Sequence, residues 1–338
     1  MSGSNVSVIN ELLENTRFKG SNSETRKYPF EYMEIADNTF LNQLNGRNPC
    51  IKCGKSRKFY CYSCYIPLNN ISEKLPNVKL PIKIDIIKHK HEIDGKSTSA
   101  HAPIIAPEDV KVYTYPNIPD YSKEDGVVLI FPGLTSSTVA QLFDESIELE
   151  VKENFGMPKG FNMGTLLRTR VNELSNYSHD NVTKILNRKK YTKNNLPIKK
   201  AVFIDSTWNQ SRGIFKDPNI SSMKTVVLQN RISQFWRHQR GSPRWFLSTV
   251  EAIHQFLLEV HCIAWGLNSQ YKGLNNLEIC DNFFKNVELI QNVETDDRSE
   301  YAPYNGQYDN LLFFFAYMYD LIHIYYDHNK LLSYKRPI

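Results

Sequence analysis

The sequence has 338 residues and lacks any run of about 18 consecutive apolar residues, which is the length that a helix needs to span a bilayer. Its first residues, MSGSNVSVINELLEN, also lack the basic region followed by an apolar region that marks a secretory signal peptide. These absences argue against membrane and secreted proteins. We therefore expect a soluble, intracellular protein with no membrane partner.

Several widespread catalytic motifs are missing as well. The chain has no G-x-G-x-x-G after a predicted strand, no Walker P-loop, no H-E-x-x-H and no G-x-S-x-G. Dinucleotide-dependent enzymes, P-loop NTPases and the common hydrolases are therefore disfavoured.

Acidic residues are fewer than basic ones. Lysine and arginine number 41, aspartate and glutamate 36, and the formal net charge is +5. This balance suits a polyanionic partner but does not identify one. With 41% hydrophobic residues, the chain is long enough to bury the core of one large domain or two modest ones.

Cysteine is also scarce, and four of the six cysteines fall in one short window. Cys50, Cys53, Cys61 and Cys64 follow the pattern C-x2-C-x7-C-x2-C. Two close C-x2-C pairs can converge on one tetrahedral zinc ion, and four thiolates fill its coordination sphere, so the predicted zinc is structural. The alternative is four unligated thiols in a loop.

Two segments mix cations with aromatic rings, a combination that suits RNA. One is the cysteine window, with Lys52, Lys55, Arg57 and Lys58 among Phe59, Tyr60, Tyr62 and Tyr65. The other is RISQFWRHQR, with Arg231, Arg237, His238 and Arg240 around Phe235 and Trp236. For the first segment the alternative is that the rings pack the zinc ribbon onto the main domain and the lysines are only solvated.

Four nearly continuous apolar runs predict strands of a parallel sheet covered on both faces, at 79–89, 127–132, 201–205 and 224–228. Helices are predicted from Leu247 to Trp265, over 281–293 and over 310–326. We divide the chain into an N-terminal helical segment (1–46), a zinc ribbon (47–68) and an α/β domain (79–330). The α/β domain includes a basic insertion (181–200), which is either a solvated surface segment or a phosphate-contacting arm.

Polar residues follow the predicted strand AVFI directly, in the order Asp205-Ser206-Thr207-Trp208. Ligands of open α/β sheets bind beyond the carboxyl ends of strands, so this cluster is a candidate site; the alternative is a simple helix cap. Ser248 and Glu251 fit a capping box, whose helix N-terminus can receive an anion. Phe131-Pro132-Gly133 ends another strand with a turn that allows close approach of a ligand.

These elements together resemble the DTW-domain family of tRNA-uridine aminocarboxypropyltransferases, which is named after a D-x-T-W element. The resemblance rests on PIKIDIIKH, VVLIFPG, FIDSTWNQ, FWRHQ, FLSTVEAI and GQYDNLLFFF, together with the cysteine window, and extends to about residue 326. Lys90 departs from it, because the family often has proline after the histidine.

The resemblance implies a SPOUT-like, knotted α/β fold with helices on both faces of a mostly parallel sheet. It also implies transfer of the 3-amino-3-carboxypropyl group of S-adenosylmethionine to N3 of a tRNA uridine in the D-loop, with release of methylthioadenosine. It further suggests residence in the nucleus. No obligate protein partner is predictable from the sequence.

The candidate site residues fall into three groups on this hypothesis. The catalytic group has Asp205 as the base that removes the uracil proton, with Thr207, and with Trp208 stacking on a base or on adenine. Adenosylmethionine is assigned to Phe131, Pro132, Gly133, Leu134, Leu247, Ser248, Thr249 and Glu251. RNA is assigned to His89, Lys96, Thr98, Arg231, Arg237, His238 and Arg240. The alternatives are a methyltransferase that uses the same donor and a zinc-dependent RNA-binding protein without catalysis.

Overall fold

The computed structural model describes residues 27–133, 136–143, 191–228, 231–239, 241–279 and 302–336, without the side chains of Trp208 and Asn209. The predicted helix over 281–293 and the first half of the basic insertion, residues 181–190, lie outside these ranges. Within them, no helix has the length and apolar character that crossing a membrane requires.

A six-stranded sheet forms the centre of the fold. Its strands are β5 (Lys83–Lys88), β6 (Val110–Thr114), β7 (Val127–Ile130), β8 (Ser137–Thr138), β9 (Lys200–Asp205) and β10 (Lys224–Val227). The spatial order is β6-β5-β9-β7-β10-β8, and every pairing is parallel. The expected α/β class with a parallel sheet is confirmed.

Helices cover both faces of the sheet. The α-helices are α1 (His101–Ile105), α2 (Val139–Phe143), α3 (Trp208–Phe215), α4 (Pro218–Ser221), α5 (Thr249–Trp265) and α6 (Phe313–Tyr325). Side chains alternate along a strand, so Ala201 and Phe203 of β9 join the core beneath α5, while Val202 packs with Ile214 of α3 on the other face. Both faces of the sheet are therefore buried, which explains its apolar strands.

The four predicted strands are confirmed, but the edge strands β6 and β8 were missed. The burial of β6 is partial, and β8 has only two residues, so neither gives a continuous apolar run. The helix predicted from Leu247 is confirmed as α5, with Ser248 at its N-cap. The apolar helix predicted over 310–326 is confirmed as α6, preceded by a 3-10 turn, Asp309–Leu312.

The helical interpretation of residues 1–46 is wrong where the structure describes them. Residues 27–46 form turns and one 3-10 helix, Thr39–Gln43. Their apolar side chains still pack, because Phe30 contacts Phe315 and Tyr319 of α6 edge to face. The spacing of these residues reflects contacts with the main core and not a helical period.

Two short hairpins form the cysteine module. β1 (Asn48–Pro49) pairs with β2 (Ser56–Arg57), and β3 (Tyr60–Cys61) pairs with β4 (Ile66–Pro67), both antiparallel. Phe59 meets Tyr317 of α6 with ring centroids 5.4 Å apart, and Tyr60 meets Phe314 at 4.6 Å. At least two of the rings therefore pack the module onto the main domain.

Candidate active site

Asp205 and Lys88 end two neighbouring strands at the same edge of the sheet. They are the last residues of β9 and β5, and the register of the parallel pair places them side by side. Side chains alternate along each strand, and paired residues of two neighbouring strands point to the same face of the sheet. The side chains of Lys88 and Asp205 therefore both lie on the face that α5 covers. A carboxylate and an ammonium group are thus fixed at the carboxyl ends of adjacent strands, where α/β sheets bind ligands.

The Asp205 carboxylate is buried and accepts hydrogen bonds from two hydroxyl groups. Ser97 Oγ lies 2.8 Å from each carboxylate oxygen, and Thr249 Oγ1 lies 2.7 Å from Oδ1. A serine hydroxyl has a single proton, so Ser97 donates it to Asp205 and accepts from the Ser99 amide, 2.9 Å away. The side chain of Asp205 is therefore held in place from two directions.

One side of Asp205 is held by the connection between β5 and α1, residues 89–100, which contains Ser97. It starts at His89, whose amide donates to the carbonyl of Asp205 at 3.1 Å. Near its end, Thr98 Oγ1 accepts from the amide of Val250 in the first turn of α5, at 3.2 Å. The 89–100 connection thus joins the end of β9 to the N-terminus of α5.

The N-terminus of α5 is fixed by a capping box. Ser248 N and Ser248 Oγ both donate to Glu251 Oε2, at 3.0 and 2.8 Å. Glu251 also accepts from Ser233 Oγ and from the amide of Gln234, both at 2.7 Å. This carboxylate is completely buried and has four donors, so its assignment as a direct adenosylmethionine contact is wrong. It anchors the 231–236 segment to α5.

Charged groups crowd the site. Lys88 forms an ion pair with Asp94, and burial lowers the pKa of Lys88 although Asp205 and Glu92 raise it. Burial also raises the pKa of Glu92, and Asp205 adds to that shift. Burial and then the charge of Asp205 raise the pKa of Tyr65, a residue of the cysteine module, to about 12.

The turn after β7 lies at the same edge of the sheet. Ser136 Oγ accepts from Gly133 N at 2.6 Å, donates to Phe131 O at 2.9 Å and lies 3.0 Å from Thr225 Oγ1 of β10. The ring of Phe131 stacks on Phe215 and is buried in the opposite core, so only its backbone remains for a ligand. Leu134 lies outside the described residues.

Thr207 and Trp208 begin α3 directly after Asp205. Thr207 is the N-cap of the helix, and its amide donates to Oε1 of Gln210 at 3.0 Å. The capping interpretation of this motif therefore applies to Thr207 and not to Asp205. Thr207 is the cap, whereas Asp205 faces α5 and the 89–100 connection.

The expected RNA contacts separate into buried and exposed groups. Arg231 is 1% exposed and contacts His254, and Thr98 is 4% exposed with its hydroxyl oxygen against the amide of Val250, so both side chains serve internal packing and neither is supported as an RNA contact. Lys96, Arg237 and His238 are exposed and His89 is half-buried. Arg237 also donates to the carbonyl of Gly95 at 3.2 Å, which places it beside the site. Arg240 lies outside the described residues.

The four cysteines of the module converge as zinc ligands require. Their sulfur atoms all lie within 4.8 Å of one another. In each C-x2-C pair the amide after the second cysteine donates to the carbonyl of the first, Gly54 to Cys50 and Tyr65 to Cys61. The amide of Lys52 also donates to Cys50 Sγ at 3.4 Å. This arrangement fits a structural zinc ion held by four thiolates.

Two residues of the site were missed from the sequence, Lys88 and Asp94. Lys88 gave only a weak signal, because its strand KIDIIK also contains Lys83 and Asp85. Asp94 lies in a polar loop, and its contact with Ser63 spans 31 residues of the chain, so no local pattern marked it.

Comparison with known proteins identifies relatives over most of the chain. Residues 58–323 match the DTW domain family. A Homo sapiens protein named tRNA-uridine aminocarboxypropyltransferase 1 is 39% identical over 299 residues, which covers 87% of this chain and 84% of that protein. Proteins of the same name from Mus musculus and Xenopus laevis are 38% and 35% identical, over 87% and 94% of this chain and 84% and 89% of their own lengths.

No solved structure matches the chain. The family match covers most of the sequence and includes Asp205 with all of its hydrogen-bonding partners. The chain therefore belongs to the DTW-domain family.

Proposed function

We propose that this protein transfers the 3-amino-3-carboxypropyl group of S-adenosylmethionine to N3 of a uridine in tRNA. The names of its relatives and the family match support the reaction class. The structural observation that supports it best is Asp205, a buried carboxylate at the end of the central strand β9, bound by Ser97 and Thr249.

The chemistry requires one proton transfer and one substitution. Asp205 takes the proton from uracil N3, and the nitrogen attacks the γ-carbon of the methionyl arm. The carbon–sulfur bond breaks, and its electron pair leaves with methylthioadenosine. Because the sulfonium activates three carbons, the pose of the donor decides which group is transferred.

We assign the donor to the space between the turn after β7 and the N-terminus of α5. Pro132, Gly133, Leu134, Leu247 and Thr249 remain candidates for direct contact. Ser248 acts there by capping α5, since its hydroxyl donates to Glu251. Trp208 remains assigned to stacking on a base or on adenine.

The strand order supports the expected SPOUT-like, knotted fold. Strand β10 lies between β7 and β8, although residues 131–136 alone connect these two strands along the chain. The insertion of a later strand between two strands that follow each other in the chain is the order that a knotted fold requires. Ser136 holds this crossing through Thr225.

We assign tRNA to the surface formed by His89, Lys96, Arg237 and His238, next to the cysteine module. Exposed cations and aromatic groups there suit a phosphate backbone and unstacked bases. The D-loop as target and the nucleus as location remain predictions from the resemblance.

Mass spectrometry of unmodified tRNA incubated with the protein and adenosylmethionine tests the proposal. We expect one uridine to gain an aminocarboxypropyl group, with methylthioadenosine released. A gain of one methyl group with S-adenosylhomocysteine would instead indicate a methyltransferase. Binding of tRNA with no gain in mass would indicate an RNA-binding protein without this activity.

A further inference from the structure

The second C-x2-C turn of the cysteine module touches the 89–100 connection directly. Ser63, between Cys61 and Cys64, donates from Oγ to Asp94 Oδ2 at 2.8 Å. Tyr62 packs at the next residue, since a Cβ placed on Gly95 would lie 3.3 Å from its Oη. The module therefore contacts two consecutive residues of the connection.

Asp94 joins this turn to the end of the sheet. Its Oδ2 accepts from Ser63, while its Oδ1 pairs with Nζ of Lys88, the last residue of β5. Lys88 is 10% exposed in its side chain and Asp94 is 28% exposed, so water screens this pair only in part. Asp94 thus fixes the connection against both the cysteine module and β5.

The same connection carries the hydroxyl that holds Asp205. Ser97 lies three residues after Asp94, and a turn closed by the amide of Lys96 to the carbonyl of Ile93, at 2.8 Å, separates them. On the outside, Arg237 donates to Gly95 O at 3.2 Å. A displacement of Asp94 would therefore move Ser97 away from the carboxylate of Asp205.

We propose that Ser63 and Asp94 are positioning residues through which the cysteine module sets Ser97 and the carboxylate of Asp205. This inference rests on the proposed function, because it gives the module a role in the rate of the reaction besides a role in stability. Neither residue touches the reacting atoms; both act through Ser97. A misplacement on the order of 1 Å in such a site costs about 100-fold in rate.

The test compares Ser63→Ala and Asp94→Asn with Ser56→Ala, which changes an exposed serine of the same module whose hydroxyl makes none of the contacts described above. We expect kcat to fall by about 10-fold or more in the first two variants, with KM for tRNA changed less than about twofold. Ser63→Thr keeps the hydroxyl and should restore most of kcat. Zinc content, measured by metal analysis, should equal that of the parent in all four variants.

A double variant and hydrogen exchange complete the test. If both residues act through one contact, Ser63→Ala combined with Asp94→Asn should be no slower than Asp94→Asn alone. The amide hydrogens of residues 89–100 and of Val250 should exchange faster in Ser63→Ala than in the parent. Their exchange rates should be unchanged in Ser56→Ala.

The outcomes separate this inference from the proposed function. Unchanged kcat and unchanged exchange in both Ser63→Ala and Asp94→Asn would overturn the inference. A rise in KM at constant kcat would overturn it too, because it would indicate an RNA contact. If the parent forms no product but Ser63→Ala accelerates exchange, the positioning contact stands and the proposed function fails.

Discussion

Arg231 donates a hydrogen bond from Nη1 to Nδ1 of His254, 3.1 Å away, in the core beside α5. A guanidinium group can only donate, so Nδ1 accepts and the proton of His254 is on Nε2. Nε2 then donates to Asp309 Oδ1, also at 3.1 Å. His254 is therefore neutral, in agreement with burial, which lowers its pKa. It links a buried cation to a buried anion.

Replacement of His254 should destabilise the fold strongly. His254→Ala leaves Arg231 and Asp309 buried without their link, and breaking such a buried pair costs about 3–5 kcal/mol. Urea unfolding measures the loss, with His91→Ala, an exposed histidine, as the control. A loss below about 1 kcal/mol would show that the two charges are compensated elsewhere.

Asp205→Asn should nearly abolish formation of the product. The amide keeps the size of the side chain, and its oxygen can still accept hydrogen bonds, but it cannot take the uracil proton, so we expect the rate to fall by about 100-fold to 10,000-fold. Thermal unfolding should show that the variant is folded. Asp125→Asn makes the same change at an exposed aspartate ahead of β7 and serves as the matched control. An unchanged rate in Asp205→Asn would rule out Asp205 as the base.

The cysteine module should bind one zinc ion per chain. Cys61→Ser removes a buried ligand, so we expect loss of the metal and a lower unfolding temperature, because zinc binding contributes to folding. Cys262→Ala, which removes a buried thiol from α5 away from the cluster, should retain the metal. Metal analysis of both variants measures this. Full zinc content in Cys61→Ser would contradict four-thiolate coordination.

Acid should weaken the fold through buried histidines, among them His101 and His261. Burial lowers the pKa of His101 to about 3 and that of His261 to about 4. His261 is held neutral, since Nε2 donates to Ala302 O and Nδ1 accepts from Tyr308 Oη. In the unfolded chain both histidines take up protons near their ordinary pKa of about 6.5. The unfolded state thus binds more protons below that pH.

The free energy of unfolding should therefore fall by about 1.4 kcal/mol per pH unit for each histidine as the pH drops below about 6.5. For His261 this loss ends near its folded pKa of about 4. Urea unfolding between about pH 7 and about pH 5 measures the slope. His261→Gln should reduce the slope by the contribution of one histidine, about 1.4 kcal/mol per pH unit. An equal slope in parent and variant would mean that His261 is protonated in the folded state.

Arg237 should contribute to tRNA binding, whereas the buried Arg231 should not. Arg237→Ala removes one exposed cation, so we expect weaker binding of all tRNAs and a smaller dependence of affinity on salt, by about one phosphate contact. Lys123→Ala is the control, because Lys123 is exposed near the opposite edge of the sheet. Titrations at several salt concentrations test this. Equal salt slopes for parent and Arg237→Ala would exclude a phosphate contact.

Local patterns in the sequence predicted much of the fold. The apolar runs of β5, β7, β9 and β10 and the capping box of α5 were readable because each depends on residues close in the chain. The spacing of the cysteines likewise predicted a cluster, since two C-x2-C turns can form only a few geometries. The site motif after β9 was also visible, because parallel strands place ligands at their carboxyl ends.

Contacts between distant parts of the chain decided the rest. Ser97 and Asp205 are 108 residues apart. Glu251 accepts hydrogen bonds from Ser233 and Gln234, which lie 18 and 17 residues before it, and no local pattern predicts these contacts. Arg231 lies in a segment whose composition resembles an RNA-binding surface, yet packing buries it against His254. Composition records which groups are present, but it does not show which of them face water.

The sequence alone therefore determined the class of the sheet, the cysteine cluster and the position of Asp205 at the end of a strand, because periodicity and spacing act over a few residues. The tertiary structure alone decided which hydroxyl groups hold Asp205, which cations are exposed and how the cysteine module meets the site. Those relationships depend on which distant segments pack together, and packing is set by the whole core.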